Sequence, residues 1–435
     1  MTTAQAPQSD PAARFRDPAV IRAHMIDDEQ RMRTRRVRRG DGPPAALPDP
    51  GADPALGSLP VPGPHGKDVP LSAFLDSADS TALLVLHRGR AVHQEFRHGL
   101  RPRDLHVTAS ISKSVFALLF IRLVRAGEID LHRPVCRYVP ELAGTGLGEA
   151  LVDHCLHMLT QVRYGDRPFH KETEARAFFA AVGMVEPPAG YSGPRTLLDR
   201  LATTRTDGPG GVRFRYENGN TEALGEVVRR VTGQPVAELL SALLHSRIGA
   251  VEDAQFSLDT TGRELVSGRF SCTLSDLARI GETLRCEGQA AGAQVLPASL
   301  VAGLFRVPDG PAGDVLGTGD RRPDGRPVLA YSQAWWLPLD GEGALVARGR
   351  SGQRLYVSPH REAVIALFGA HPVADDLPIP FFEPVLARIA QSLQARGRRP
   401  PRGGGDEAVR SADDGAAAVR WSVHGFSSSK EGGSK

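Results

Sequence analysis

The chain has 435 residues, too many for one small domain and enough for a large enzyme core with appendages. Hydrophobic residues at 41% and charged residues at 24% sit near soluble globular averages, which excludes wholesale disorder. A formal charge of +3, from 53 basic and 50 acidic residues, gives no electrostatic reason to expect a nucleic-acid partner. Residues 1 to about 40 are polar and Arg-rich, with a helix predicted around Pro18 to Arg39. Gly40 to Gly66 is dense in Pro and Gly and reads as a linker or surface arm. Thr81 to Leu86 and Ala91 to Phe96 are β-prone runs joined by His87-Arg88-Gly89-Arg90, a hairpin signal. Ala109 to Ala126 has a helical pattern that stops at Gly127, where a C-terminal glycine cap belongs.

A long, mostly helical region with loops is expected to about Phe305, with helices at Thr221 to Val231 and Val236 to His245 around the Thr232-Gly233 break. After Leu329 strands return: Ala334 to Pro338, Ala344 to Arg348, Gln353 to Ser358 and Ala363 to Gly369. Phe382 to Ala395 then reads as a closing amphipathic helix. Strands at both ends with helices between predict an α/β (α+β) fold. Its antiparallel sheet is assembled from both chain ends, with helices packed on it and a mainly helical subdomain. The expected division is an arm and linker over 1–68, one catalytic domain over 69–395 and a disordered tail over 396–435.

Only five lysines occur (Lys67, Lys113, Lys171, Lys430 and Lys435), so a lysine inside the folded part is unusual in this arginine-rich chain. An ammonium can give up its proton in a protein, whereas a guanidinium cannot. Ser110-Ile111-Ser112-Lys113 puts a serine at a helix start and a lysine three residues on, on one face. Lysine can activate a serine hydroxyl as a base, and the free N–H groups of the helix start suit a developing oxyanion. A capping serine with a solvated lysine would read the same over four residues.

Tyr216-Glu217-Asn218 leads into the helix from Thr221. A phenol beside an ammonium can pass protons, and a carboxamide can hold a substrate carbonyl or amide. A turn with Tyr packed beneath it is the bland alternative. Ala347-Arg348-Gly349-Arg350-Ser351-Gly352-Gln353 lies between two β runs, where glycines permit close backbone approach to a ligand or simply form a bulge or hairpin turn. Trp335 and Trp336 alternate across a strand, so one ring lines the pocket while the other fills the core. His154 and His157 have no third ligand, and Cys136, Cys155, Cys272 and Cys286 show no metal-finger spacing; neither a metal nor another cofactor is expected. No secretory signal is visible, and the longest apolar run, Val115 to Ile121, is too short to span a bilayer, so a cytoplasmic protein without a membrane partner is expected.

The three motifs, in this order and at these separations, resemble the serine β-lactamase and penicillin-recognising family. The likeness is to its class C-like branch of esterases, D-amino-acid peptidases and nylon-oligomer amidases. It runs from about Ala82 to Gly369 and rests on residues 110–142, 216–240, 331–338 and 349–369. It implies a β-lactamase-like sandwich in which Ser110 is acylated, Lys113 and Tyr216 form the base and proton relay, and Asn218 binds substrate. The backbone N–H groups of Ser110 and Arg350 would form the oxyanion hole, with Gly349, Arg350 and Trp336 lining the substrate site. In this sequence Ala347 stands where that family usually has a Lys or His. Arg348, its strand neighbour, is expected to face away from the site, which disfavours binding of a β-lactam carboxylate. The reading is hydrolysis of a small amide or ester through an acyl-enzyme. Transfer of the acyl group to an amine or alcohol is the alternative, and a non-catalytic binding protein of the same fold is a third.

Overall fold

The computed structural model describes residues 16–26, 28–63, 67–164, 177–187, 190–310, 328–372 and 382–397. Along the chain come α1 (Pro18–Ile26), β1 (Thr34–Val37), β2 (Ser80–His87), β3 (Arg90–Phe96), β4 (His106–Val107) and α2 (Ile111–Arg125). Then follow α3 (Asn218–Thr232), α4 (Val236–Leu243), β5 (Ala254–Ser257), β6 (Phe270–Cys272) and α5 (Leu274–Arg285). The last group is β7 (Leu329–Ser332), β8 (Trp335–Pro338), β9 (Leu345–Arg348), β10 (Arg354–Ser358), β11 (Ala363–Gly369) and α6 (Phe382–Gly397).

Seven strands of the described residues pair antiparallel in the order β7-β8-β9-β10-β11-β2-β3, so the sheet is built from both chain ends as expected. Its centre is buried on both faces, and β2 and β11 are accordingly near-continuous apolar runs. The register puts Leu355, Val357 and Val364 on one face. Here α5 comes so close that a Cβ on Gly281 would lie 2.6 Å from Val364. Arg354 points to the opposite face, where its guanidinium lies 4.6 Å from the ring centre of Phe382 of α6. The predicted hairpin forms with Arg88 (φ 53°) and Gly89 (φ 75°) both left-handed, the turn whose twist matches its strands. Gly127 (φ 77°) follows α2, and Gly233 (φ 68°) closes α3 in a left-handed cap.

The short helix expected around Pro18 to Arg39 forms over Pro18–Ile26, followed by a single turn at Asp28–Arg31. Helix stops at Arg31, and Thr34–Val37 becomes an edge strand paired with β5. With β6 and β4 it completes a four-stranded sheet, β1-β5-β6-β4, of which β5 and β6 lie inside the region read as mostly helical. Val37, Leu56 and Val61 are buried in the main core, so the stretch expected to be arm and linker supplies both a strand and core side chains. The expected tail over 396–435 falls almost wholly outside the described residues.

Candidate active site

Ser110 lies at a sharp turn. Ala109, just before it, has a left-handed φ of 49°, uncommon for a residue with a side chain, and α2 begins just after. The turn is fixed from behind: Thr108 N–H donates to the Phe270 carbonyl at 2.8 Å, and the Ser112 hydroxyl accepts from Phe270 N–H at 2.8 Å. Ser110 occupies the N-cap position, yet its side chain makes no capping bond. Its hydroxyl accepts a hydrogen bond from Lys113 Nζ at 3.1 Å. Lys113 is 1% exposed, and its Nζ also donates to the Ser267 carbonyl at 2.5 Å. The bland reading of a capping serine and a solvated lysine therefore does not apply.

Tyr216 stands over this pair, its ring centre 5.0 Å from Lys113 Nζ. It stacks on Trp336 (centroids 6.0 Å, 23° between planes) and meets Tyr331 edge-on. Trp335 is fully buried while Trp336 keeps 8% of its surface, so the two rings divide between core and pocket. Burial holds the Tyr331 phenol well above its ordinary pKa, and the nearby Tyr216 adds to the effect. Tyr216, 38% exposed, is the accessible phenol of the two.

Asn218 is exposed in the first turn of α3 and lines the same cavity as Ser110. The residue between Tyr216 and Asn218 has its own task. The Glu217 carboxylate caps α3 by accepting from Gly219 N–H at 3.3 Å, and it also accepts from the Tyr164 hydroxyl at 3.1 Å. Met158 (φ 57°) supports this loop, its carbonyl accepting from Arg215 N–H at 2.8 Å.

Sequence reasoning passed over Ser267 and Glu222, which complete the lysine's surroundings. Glu222 is 1% exposed and its carboxyl accepts from Val266 N–H at 3.2 Å and Ser267 N–H at 3.0 Å. It thereby fixes the backbone leading into Ser267, whose carbonyl holds Lys113. Burial pushes its pKa up, while the hydrogen bonds from Ser267 and the charges of Arg229 and Lys113 oppose the rise. Its position one turn into α3 was visible in the sequence, but its partners lie 44 and 45 residues away.

On the other side of Ser110 lies the loop over 349–353. A Cβ on Gly349 would lie 2.4 Å from the Thr108 carbonyl, so glycine is required for the loop to touch the backbone before Ser110. Gln353, fully buried, ties the loop down by donating to the carbonyls of Arg350 (3.1 Å) and Gly369 (2.7 Å) and accepting from Gly369 N–H (3.1 Å). Arg350 and Ser110 line two cavities in common.

Arg348 corrects an expectation. Trp336 pairs with Val346, so Arg348, two residues on, shares the face of Trp336. Its guanidinium lies 5.0 Å from the Trp336 ring centre and lines a cavity with Ser110 and Tyr216; Ala347, fully buried, takes the opposite face. The charge of Arg348 is engaged: its Nε and that of Arg354 each lie 3.1 Å from one oxygen of Glu383. Burial disfavours the Glu383 carboxylate, but Arg354 and Arg348 together hold its pKa below the ordinary value. His154 and His157 are not part of this site, and among the described residues no group of three or more His, Cys, Asp or Glu could hold a metal ion. No helix of the described residues is long and apolar enough to cross a membrane.

Residues 72–376 match the model of the family described as "Beta-lactamase". The chain belongs to the beta-lactamase family. It is 31% identical over 305 residues to a 6-aminohexanoate-dimer hydrolase of Paenarthrobacter ureafaciens, covering 70% of this chain and 76% of that one. To esterase EstB of Burkholderia gladioli it is 30% identical over 161 residues, 34% of this chain and 38% of that one. Among solved structures, a Bacillus anthracis protein provisionally assigned as a 6-aminohexanoate-dimer hydrolase superposes with a TM-score of 0.76 at 26% identity, over 91% of this chain and 97% of that one. This member of the beta-lactamase family is thus a hydrolase whose relatives include amide- and ester-cleaving enzymes.

Proposed function

We propose that the protein hydrolyses a small amide or ester through a covalent acyl-Ser110 intermediate, with no cofactor. The observation that carries this reading is Lys113: buried, 3.1 Å from the Ser110 hydroxyl, and anchored to the Ser267 carbonyl. Its nitrogen stands within hydrogen-bond reach of the hydroxyl proton that a serine nucleophile must give up. Attack forms the bond from Ser110 Oγ to the substrate carbonyl carbon. The hydroxyl proton passes through Lys113 and Tyr216 to the leaving nitrogen or oxygen as its bond to carbon breaks. Water then cleaves the acyl-serine, releasing the acid and restoring the hydroxyl. The N–H groups of Ser110 and Arg350 would receive the oxyanion, and Asn218, on the cavity wall, would bind the substrate amide.

One relative is named for a dimer of 6-aminohexanoate and the other as an esterase, and the same two-step chemistry serves both bond types. The exposure of Tyr216 leaves water a path to the relay, which favours hydrolysis over acyl transfer. Intact-mass measurement after mixing with short esters and amides tests the reading. An acyl adduct is expected on the wild type and none on a folded Ser110→Ala protein, whose turnover falls at least a thousandfold. Added amines should not compete with water for the adduct. Near-normal turnover by Ser110→Ala would sink the assignment.

A further inference from the structure

Ser110 and Arg350 sit where two cavities of different size meet. The larger, about 370 Å³, has a mostly apolar wall that includes Met25, Phe178, Met184, Leu197, Leu201 and Leu265. The smaller, about 200 Å³, is lined by Tyr216, Trp336, Arg348, Arg354 and His371 with the loop over 349–352. A carbonyl carbon bound at Ser110 with its oxygen toward the N–H groups of Ser110 and Arg350 has two further substituents. One is the acyl chain and the other the leaving group, and they point apart.

Tyr216 decides which goes where. It lines the smaller cavity and not the larger one. A leaving nitrogen or alkoxide oxygen must be protonated as its bond breaks, so it belongs beside the phenol that delivers the proton. The leaving group therefore occupies the smaller space. We infer that the larger cavity is an acyl-chain pocket, and that preferred substrates join a sizeable apolar acyl group to a small leaving group. This rests on the acyl-Ser110 reading and assigns that site a substrate class. Each methylene that enters an apolar pocket should raise kcat/KM about fourfold until the pocket is full.

Two series of esters test it. One extends the acyl chain from acetyl to decanoyl on a fixed ethanol leaving group; the other keeps acetyl and extends the alcohol from ethyl to decyl. The expected result is a rise of at least tenfold in kcat/KM along the first series and a flat or falling profile along the second. A rise along the alcohol series instead, or no dependence on acyl length, overturns the inference. Met184, partly exposed on the pocket wall, gives a second readout. Met184→Trp should cut the octanoyl-to-acetyl ratio of kcat/KM at least tenfold, and Met184→Ala should move the optimum to longer chains. Should Met184→Trp fail to fold, an unmoved optimum in Met184→Ala still overturns the assignment. If the acyl-Ser110 reading itself were wrong, no ester of either series would leave an acyl mass on the protein. If only the pocket assignment were wrong, adducts would form without the acyl-length preference.

Discussion

At the scale of single residues, the proposed role of Lys113 as base predicts that this one of five lysines is not exchangeable for arginine. Its Nζ fits between the Ser110 hydroxyl and the Ser267 carbonyl at 3.1 and 2.5 Å, a space for a point donor and not a planar fork. Lys113→Arg keeps the charge but loses the base, so the acylation rate should fall about 10²–10⁴-fold, as far as in Lys113→Ala. Stopped-flow acylation with an activated ester measures this, and a rate near wild type would reduce lysine to an electrostatic prop. Glu222 acts one peptide further back, where its carboxyl holds Val266 and Ser267 N–H. Glu222→Gln keeps one acceptor, turns an amide donor toward the other N–H, and removes a negative charge facing Lys113. The expected outcome is about a tenfold loss in kcat with KM nearly constant. Steady-state kinetics on an ester check this, and a rise in KM without a fall in kcat would mean that Glu222 shapes the cavity wall and does not position Lys113.

At the scale of elements, the loop between β9 and β10 is closed by a Gly349 N–H bond to the Gln353 carbonyl at 2.8 Å and seated by contact with the backbone before Ser110. Gly349 has an ordinary extended backbone (φ −124°), so its demand for glycine comes from its neighbours: a would-be Cβ lies 2.4 Å from the Thr108 carbonyl and 2.7 Å from Gln353 Cβ. Backbone cannot swing aside as a side chain can. Gly349→Ala should push the loop outward, carry Arg350 N–H away from Ser110, and cost about 10–100-fold in acylation. A full-rate Gly349→Ala enzyme would exclude Arg350 N–H from the oxyanion site. The motif over 349–353 was legible because two glycines and a glutamine between β runs are uncommon; its partner, the Thr108 carbonyl 241 residues upstream, was not. Arg348 failed for a different reason. Alternation along a strand tells which residues share a face but not which face meets the site, and only the pairing of Trp336 with Val346 fixes that.

For the whole molecule, what the sequence made visible was what is long and periodic. The hairpin of β2 and β3, helix α2 and the run from β8 to β11 each span enough residues to display a period, and they define the main sheet. The second sheet escaped because β4, β5 and β6 have two to four residues each, and β1 reads as polar until β5 covers it. In that second sheet sits His106, fully buried and stacked on Phe368 (4.3 Å, 8°), which joins the fold's integrity to pH. Burial lowers its pKa to about 4, only partly offset by its bond to the Val107 carbonyl. Unfolded, a histidine binds its proton near pH 6.5, so between about 6.5 and 4 the unfolded chain holds more protons than the folded one. The stabilisation is complete above pH 6.5 and drains as pH falls toward 4, by up to about 3 kcal/mol in all. Below 4 both states are protonated and this histidine contributes no further change. Urea midpoints measured at pH 7, 6, 5 and 4.5 should therefore decline. In His106→Phe, which keeps a stacked ring without a titrating nitrogen, the decline should be shallower by about 1.4 kcal/mol per pH unit, one proton's worth. An equal slope in wild type and His106→Phe would mean that His106 is protonated in the folded protein, and that its stack on Phe368 tolerates the charge.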